Sequence, residues 1–281
     1  MPTALVAIEQ FYPPSQRIVD DPLAYQMLPA TGKLFLSLLR SYRIRNWIIT
    51  TSEAGNPGIW GGLLCRKRYI DQKLLASRTV IEAVVNLGAG RDTRLYRLEG
   101  IHQLPMWEVD QPQNVAAKIK RLRKVIGSTP ANVKYLAIDF NTEALGSKFA
   151  SEGFSLSNPT FFIWEGVTQY LNEASVRATF DFLATAAAGS RLAFTYVRKD
   201  FLEGKELCGW PAGYKQFVAA GLWQFGLMPQ TCAEFIAPYG WRMVEDVSYD
   251  QLAEKYVRPT GRRLKSTPVE RIVYAEKILN P

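Results

Sequence analysis

The sequence predicts an α/β fold built on a doubly wound, mostly parallel sheet, and three observations carry that expectation. From about residue 81 strand-length apolar runs alternate with helix-length amphipathic segments. The first of these strands runs straight into a glycine turn, Gly88-Ala89-Gly90. The next two strands each end on an acid, Asp110 and Asp139. Alternation at this spacing winds a parallel sheet through right-handed crossovers.

Residues 1–75 are helical in pattern. Leu23 to Leu39 places apolar residues three and four apart, broken by Pro29 and Gly32, and the helical period resumes from Leu63 to Val84 after the turn-rich Gly55-Asn56-Pro57-Gly58. These residues are expected to form an N-terminal helical lid on a catalytic domain spanning 76–281. Ile81 to Leu87, Met106 to Asp110 and Val133 to Asp139 read as the first three strands, with helices from Pro112 to Ile126 and from Thr142 to Ser151. Thr160 to Glu165 is almost uninterruptedly apolar, as suits a strand covered on both faces. Asn172 is placed to cap a helix running to Ala188, and Arg191 to Val197 is a fifth strand. Trp241 to Tyr249 and Val269 to Ile278 are two strand-like runs around a loop containing Gly261-Arg262-Arg263, compatible with an antiparallel edge strand. Residues 201–235, with Cys208-Gly209-Trp210-Pro211 and Gly221-Leu222-Trp223, are expected as an insertion after the fifth strand, over the sheet edge where such folds bind ligands.

Composition narrows the function classes. Of 281 residues 47% are apolar and 21% charged, which fits an ordinary globular chain and excludes disordered or collagen-like character. Cys65, Cys208 and Cys232 are far apart, so neither a disulfide framework nor a structural zinc site is expected, and a reducing compartment is. The first ten residues lack a basic n-region, and no 18 apolar residues run together. A cytoplasmic location is expected, with no membrane partner. The net charge of +8 invites a nucleic-acid reading. However, Lys118, Lys120, Arg121, Arg123 and Lys124 interleave with Ala117, Ile119, Leu122 and Val125 like the solvated face of an amphipathic helix, so no nucleic-acid partner is expected. Nothing in the sequence indicates an oligomeric state.

The glycine turn carries the ligand reading. Glycines between a strand and a helix let the backbone turn tightly and approach a ligand that a Cβ would exclude. Asp110 lies 22 residues after Gly88, near the distance at which an acid reaches ribose hydroxyls. A nicotinamide dinucleotide usually needs a third glycine, where this chain has Thr93. The only Tyr-x-x-x-Lys, Tyr69 to Lys73, lies upstream of the loop, and no P-loop occurs. A shortened loop with two strand-end acids fits S-adenosylmethionine (SAM), a nucleoside with no pyrophosphate to cradle. Asp110 would take the ribose diol and Asp139 the adenine amino group.

Three motifs in order strengthen that reading: Asn86-Leu87-Gly88-Ala89-Gly90-Arg91-Asp92-Thr93-Arg94-Leu95-Tyr96-Arg97-Leu98, then Trp107-Glu108-Val109-Asp110-Gln111-Pro112, then Glu165-Gly166-Val167-Thr168-Gln169-Tyr170-Leu171. From about residue 62 onward the chain resembles the leucine carboxyl methyltransferase family of class I, Rossmann-like SAM-dependent methyltransferases, which includes polyketide carboxyl methyltransferases. The resemblance implies a set of cofactor contacts. Arg66 would pair with the methionine carboxylate, with Arg68 as the fallback if the register slips; the competing reading of Arg66 is a surface arginine in a basic trio. Gly88, in the loop with Ala89 and Gly90, would lie against the methionine moiety and Asp110 under the ribose. Asp139 and Phe140 would hold the adenine, and Glu165 the methionine amino group. Arginine suits its role because its planar fork matches a carboxylate bidentately. The chain departs from the family at Thr168 and Gln169, and often at Arg91, where apolar residues are usual, and these departures bear on the substrate. No metal is expected.

Methyl transfer from a sulfonium is an in-line displacement for which the protein supplies alignment and a dry site. A hydroxyl acceptor normally needs a base. The single histidine, His102, lies before the second strand, away from the expected site. An acceptor carboxylate is already ionised at neutral pH and needs none. The expected reaction is therefore transfer to an oxygen of a small molecule, a carboxylate preferred and a hydroxyl possible. Arg198 is a candidate for steering such an acid, and Tyr170 and Tyr196 for lining its pocket, with core packing favoured for Tyr196. The alternatives left open are a small amine held over tryptophans such as Trp164, Trp210 and Trp223, a protein C-terminal carboxylate, RNA, and a non-catalytic SAM-binding module. Against RNA, the fourth strand ends Glu165-Gly166-Val167 and lacks Asp/Asn-Pro-Pro-Tyr.

Overall fold

The computed structural model describes residues 2–140 and 142–278. Five helices come first: α1 (Pro2–Glu9), α2 (Pro22–Gln26), α3 (Ala30–Leu38), α4 (Tyr42–Gly55) and α5 (Ile59–Ser77). Strand and helix then alternate through β1 (Ala83–Leu87), α6 (Arg94–Arg97), β2 (Met106–Asp110), α7 (Pro112–Ile126), β3 (Val133–Ala137), α8 (Leu145–Ser151), β4 (Thr160–Trp164), α9 (Glu173–Ala184) and β5 (Arg191–Arg198). The insertion comprises α10 (Lys199–Leu202), α11 (Pro211–Gly213), β6 (Gly226–Leu227) and α12 (Cys232–Ile236). Strand β7 (Trp241–Ser248), helix α13 (Tyr249–Tyr256) and strand β8 (Glu270–Lys277) complete the described chain.

The strands pair in the order β3-β2-β1-β4-β5-β8-β7, with the two-residue β6 parallel to β5. From β3 to β5 every pairing is parallel. The antiparallel edge resolves into two strands. β8 runs against both of its neighbours, and β7 lies outside it. The chain reverses between β1 and β4, which opens a crevice at their C-terminal ends, and the glycine turn after β1 sits there.

The period-2 alternation of buried strands decides which layer each side chain joins. On β4, Phe161 and Ile163 face a core shared with α1 to α5 and α13, while Phe162 and Trp164 face a second core shared with α8, α9 and α12. The same split runs through β8, with Ile272 and Tyr274 on one side and Val273 and Ala275 on the other. Leu5, Ile8, Leu64 and Ile70 thus share one core with Val84 and Ala193, so the N-terminal helices form a layer on the sheet.

Most departures from the expected elements are local. Helix α5 ends at Ser77, and β1 begins only at Ala83, so the helical period continuing to Val84 gives way to a turn. β3 stops at Ala137, which places Asp139 on the loop beyond it. Asn172 caps α9 as expected, its Oδ1 accepting from the Ser175 amide at 2.8 Å. The helix ends at Ala184, where the Thr185 hydroxyl turns back onto the Phe182 carbonyl. Helix α13 forms where the sequence reads as loop, because Ser248 and Gln251 make a reciprocal capping box.

Phe180 is fully buried, with ring centroids 5.6 Å from Trp164, 5.5 Å from Phe194 and 5.2 Å from Tyr239. Phe180→Ala is expected to lower unfolding stability by about 3–5 kcal/mol, the usual loss for a buried aromatic. The midpoint of urea denaturation, read at constant slope, checks it.

Candidate functional site

Helix geometry sorts the basic trio on α5. Two residues advance the helix by about 200°, so Arg66 and Arg68 face opposite ways. Arg68 donates to the Ile18 carbonyl at 3.1 Å on the outer side, whereas Arg66 is buried and faces the sheet. Lys67 and Asp71 stand one turn apart on the same side as the glycine loop.

These side chains meet the strand tips in a buried ionic network. Arg66 donates to Glu165 and to Glu270, both at 2.8 Å, and to the Tyr249 hydroxyl at 3.3 Å. Lys67 lies 3.3 Å from Glu165 and 3.4 Å from Asp92. Arg94 has no accessible side-chain surface; it bridges Asp71 at 2.6 Å, Glu165 at 3.1 Å and also Asp92. Arg97 extends the chain through Asp71 to Asp21, which also accepts from the Thr93 hydroxyl and from the Ala24 amide. Burial alone would push the Glu165 carboxyl up, but Lys67, Arg66 and Arg94 together hold it down at about 2. Asp92 is held still further below the usual range, against its burial, by Arg94 and Lys67. Burial drives the Tyr249 phenol far above its ordinary value, so it stays protonated.

Two turns bring backbone close to this network. Gly88 has φ +73°, and a Cβ there would lie 2.3 Å from Val167 Cγ2. Gly166 has φ +68°, and its missing Cβ would come 3.1 Å from an Arg66 guanidinium nitrogen. Both positions therefore require glycine, for conformation and for space. Asp110, at the tip of β2, accepts from the Gly90 amide at 2.5 Å and from Asn114 at 2.7 Å. β3 lies beside β2 with Ala137 level with Asp110, so Asp139 emerges at the neighbouring tip.

Two cavities follow. A crevice of about 440 Å³ is lined by Arg66, Lys67, Gly88, Gly90, Asp92 and Glu165, with Pro2, Thr3, Ala4 and Leu28 over it. Asn86 also lines it; the residue is 2% exposed and its amide nitrogen has no hydrogen-bond partner. A second chamber of about 420 Å³ is walled by Tyr170, Trp210, Phe217, Trp223 and Tyr249, with Gln169 and Glu270 as polar groups. The two cavities share Pro2, Arg66 and Gly166. They meet where Glu165 ends β4.

The structure therefore brings together Arg66, Gly88, Ala89, Gly90 and Glu165 around one crevice, with Asp110 bound to its glycine turn. Phe140 instead lines a separate cavity of about 300 Å³ with Leu145 and Phe182. Asp139 is engaged in a turn, where its amide donates to Glu143 at 3.0 Å. Tyr170 lines the aromatic chamber, but Arg198 does not. The Arg198 guanidinium is turned onto Asp200 at the start of α10. Tyr196 is a core residue whose hydroxyl donates to Asp246 at 2.6 Å. Of the two polar departures, the Thr168 hydroxyl is spent on the Thr195 carbonyl at 2.6 Å, whereas Gln169 reaches the chamber. Sequence reading missed Asp92 and Arg94, although both stand inside the first motif, and Lys67, which sits within the basic trio; it also missed Tyr249 and Glu270, for which no local signal exists. Among the described residues no cluster of His, Cys, Asp and Glu is arranged to hold a metal.

The chain belongs to the leucine carboxyl methyltransferase family, whose model matches residues 1–184. A Mycobacterium marinum protein named as a presumptive S-adenosyl-L-methionine-dependent methyltransferase is 31% identical over 188 residues, covering 66% of this chain and 61% of that protein. The chain thus spans about three fifths of the length of the curated relatives it matches first. A Mycobacteroides abscessus protein of the same name is 28% identical over 271 residues, 93% of this chain and 88% of that one. A solved Thermobifida fusca structure described as a presumptive methyltransferase superposes with a TM-score of 0.58 at 16% identity, covering 82% of this chain and 86% of the other. It shares the doubly wound fold.

The depressed Glu165 carboxyl ties stability to pH. Its value in the fold is about 2 against an ordinary 4.5, so its contribution is fully present above about 4.5 and is lost as pH falls through 2. Glu165→Gln is expected to flatten the stability profile across that window, checked by denaturant unfolding at several pH values.

Proposed function

We propose that this protein is a SAM-dependent methyltransferase that esterifies the carboxylate of a small, flat, largely apolar acid. The observation that carries the reading is the pair of cavities meeting at Arg66 and Gly166, one lined by the glycine turn and ionic network and the other by aromatic rings. The relatives' names and the family match support the reaction class.

The residues present fit the cofactor. The crevice offers a turn with Gly88 and Gly90 both at positive φ and an unpartnered amide on Asn86, and beside it stand Asp110, which holds the Gly90 amide at the tip of β2, and Asp139 on the loop beyond β3. In this reading Asp110 takes a ribose hydroxyl on Oδ2, which accepts the Gly90 amide and keeps one acceptor position, whereas Oδ1 is filled by the Gln111 amide and Asn114. Asp139 and Phe140 take the adenine side. Arg66 presents its guanidinium to the methionine carboxylate, and Glu165 takes the amino group. The ionic network has five carboxylates (Asp21, Asp71, Asp92, Glu165, Glu270) against four bases (Arg66, Lys67, Arg94, Arg97), an excess that favours a cationic ligand. Bound there, SAM supplies a methyl group on a cationic sulfur, which an acceptor oxygen displaces in line.

The chain's own task is to bind, align and exclude water. Pro2 to Ala4 and Leu28 close over the crevice, and Trp210, Phe217 and Trp223 wall the chamber. None of the chamber's groups suits a base at neutral pH. Glu165 is ion-paired and acidic, Glu270 is held by Arg66, and Tyr249 stays protonated. An acceptor that arrives ionised needs no such base, which favours a carboxylic acid over a phenol or alcohol. A small amine is the second reading, favoured by the aromatic walls. It is weakened because Arg66 neutralises Glu270, the acid that would face the amine.

Asp110→Ala is expected to weaken SAM binding at least tenfold, corresponding to a lost charge-assisted hydrogen bond of about 1.5–3 kcal/mol. Calorimetric titration reads it, and unchanged affinity overturns the cofactor assignment. With methyl-labelled SAM and a panel of flat carboxylic acids, phenols, amines and RNA, label is expected only in base-labile esters of the acids. Label retained after mild alkali, or found in RNA, defeats the acceptor reading.

A further inference from the structure

We infer that the face formed by α3 and α4 is a docking surface for an anionic lipid membrane. Six large apolar side chains stand exposed on these two helices: Leu34, Phe35 and Leu38 along one side of α3, Ile44 and Trp47 along one side of α4, and Tyr42 turned to the opposite side of α4. Leu34 is 73% exposed and Trp47 66%, so these side chains project outward and do not merely graze the surface. On α3 the positions between them, Leu36 and Leu39, are buried in the core. The helix therefore has two apolar sides, and the fold covers one. Large apolar side chains grouped on the exposed side of a helix in this way mark an interaction site. Tyr and Trp beside Leu and Phe is the composition of a helix lying in a membrane interface.

The charges around the patch have one sign. Residues 22–52 contain four bases and no acid. Arg45 is buried, donating to the Leu39 and Arg40 carbonyls at the end of α3, which leaves Lys33, Arg40 and Arg43 at the surface. α7 adjoins this region, with Arg121 donating to the Gln26 carbonyl at 3.0 Å, and it adds Lys120, Arg123 and Lys124. No acid occurs between Gln111 and Ile138. On the other side of α4, residues 257–269 also lack acids, and Arg263 and Lys265 line a cavity of about 530 Å³ together with Tyr42, Asn46 and Glu53, while Arg262 in the same wall is spent on Glu9. The acids nearest these elements are occupied. Glu53 is buried and accepts from the Lys265 amide at 2.8 Å, Glu9 is buried against Arg262, and Asp20 pairs with Arg17. An apolar patch is thus flanked by bases on both sides.

That pattern selects the occupant. A second copy docking through the same patch would oppose its bases to their own images, since a two-fold interface brings identical surfaces together. Nucleic acid would use the flanks but would leave Leu34, Phe35, Leu38 and Trp47 in water. An anionic bilayer satisfies both parts, with the apolar side chains below the headgroups and the bases level with the phosphates. The expectation of no membrane partner rested on the lack of a spanning segment, and among the described residues no helix is long and apolar enough to cross a membrane. Lying on a membrane requires no such helix. The patch also connects to the aromatic chamber. α4 leads from it to Pro57, Gly58 and Ile59 in the chamber wall, and Asn56 accepts from the Trp210 indole at 3.0 Å.

The test is cosedimentation of the full chain with vesicles of phosphatidylcholine alone, or of phosphatidylcholine mixed with phosphatidylglycerol. Binding is expected to the mixed vesicles, to weaken as salt is raised, and to fall roughly tenfold in the double variant Phe35→Ser, Trp47→Ser, as expected when buried apolar area sets the affinity. Both substitutions are at exposed positions, and an unchanged thermal melt shows that the fold is kept. Arg40→Glu with Arg43→Glu leaves the apolar patch intact and is expected to abolish the preference for anionic vesicles. Absence of binding to either vesicle overturns the inference. So does a concentration-dependent dimer that the double variant abolishes, or RNA binding that it leaves untouched.

Discussion

The site is held together by the convergence of three cations on one carboxylate. Glu165 ends β4, Arg66 and Lys67 come from α5, and Arg94 opens α6 after the glycine turn. Each charge is costly to bury alone, and removing one partner of a buried pair leaves the other uncompensated. The network thereby fixes the positions of three elements that are far apart in the chain. Its geometry explains why the crevice is formed in the unliganded chain. Asp92, shared by Lys67 and Arg94, anchors the far side of the turn, while Asp110 receives the Gly90 amide on the near side. The turn is held between two carboxylates, so little ordering is left for a ligand to impose.

The sheet was legible in the sequence because its strands are short, apolar and separated by helices of ordinary length. The two-sided burial of β4 follows from the run of Phe161, Phe162, Ile163 and Trp164, in which neither alternate set is polar. The crevice was legible for a related reason, since the glycines, Asp110 and Glu165 all occupy strand tips. What stayed hidden depends on pairing across long sequence distances. Glu270 reaches Arg66 only because β8 inserts between β5 and β7, and nothing local to Pro268-Val269-Glu270-Arg271-Ile272 announces it. The Arg66 or Arg68 ambiguity is of the same kind: periodicity puts the two on opposite faces but does not say which face meets the sheet. For Arg198, strand-end position fixes where the backbone lies, while Asp200 two residues on decides where its guanidinium points.

The chamber beside the crevice is assembled from parts with no common sequence signal. Trp210, Phe217 and Trp223 come from the insertion, Ile59 and Leu63 from the start of α5, Tyr249 from α13 and Val269 from the loop before β8. Each aromatic residue read alone is an ordinary core residue. Only their stacking, with Phe217 and Trp223 parallel at 4.6 Å and Trp210 at 5.7 Å from Phe217, shows a wall. Gln169 is one of the chamber's polar groups. It is 3% exposed, and its side-chain oxygen lacks a partner, an arrangement that costs free energy unless a ligand completes it.

If the acceptor is a carboxylic acid and the α3–α4 face lies on lipid, as proposed above, the two bear on one another through charge. A flat acid bearing a carboxylate is amphiphilic, whereas its methyl ester has lost the charge and is the more apolar of the two. An aromatic chamber that binds the ring of both gains little discrimination from the ring itself, so release of the product must come from what happens outside. A bilayer beside α4 supplies an apolar phase into which a neutral ester partitions more readily than the acid does. The anionic headgroups act in the same direction, since they repel a charged acid and are indifferent to a neutral ester. Product would therefore leave towards lipid and substrate arrive from water, and the direction of traffic would be set by the single charge that the reaction removes.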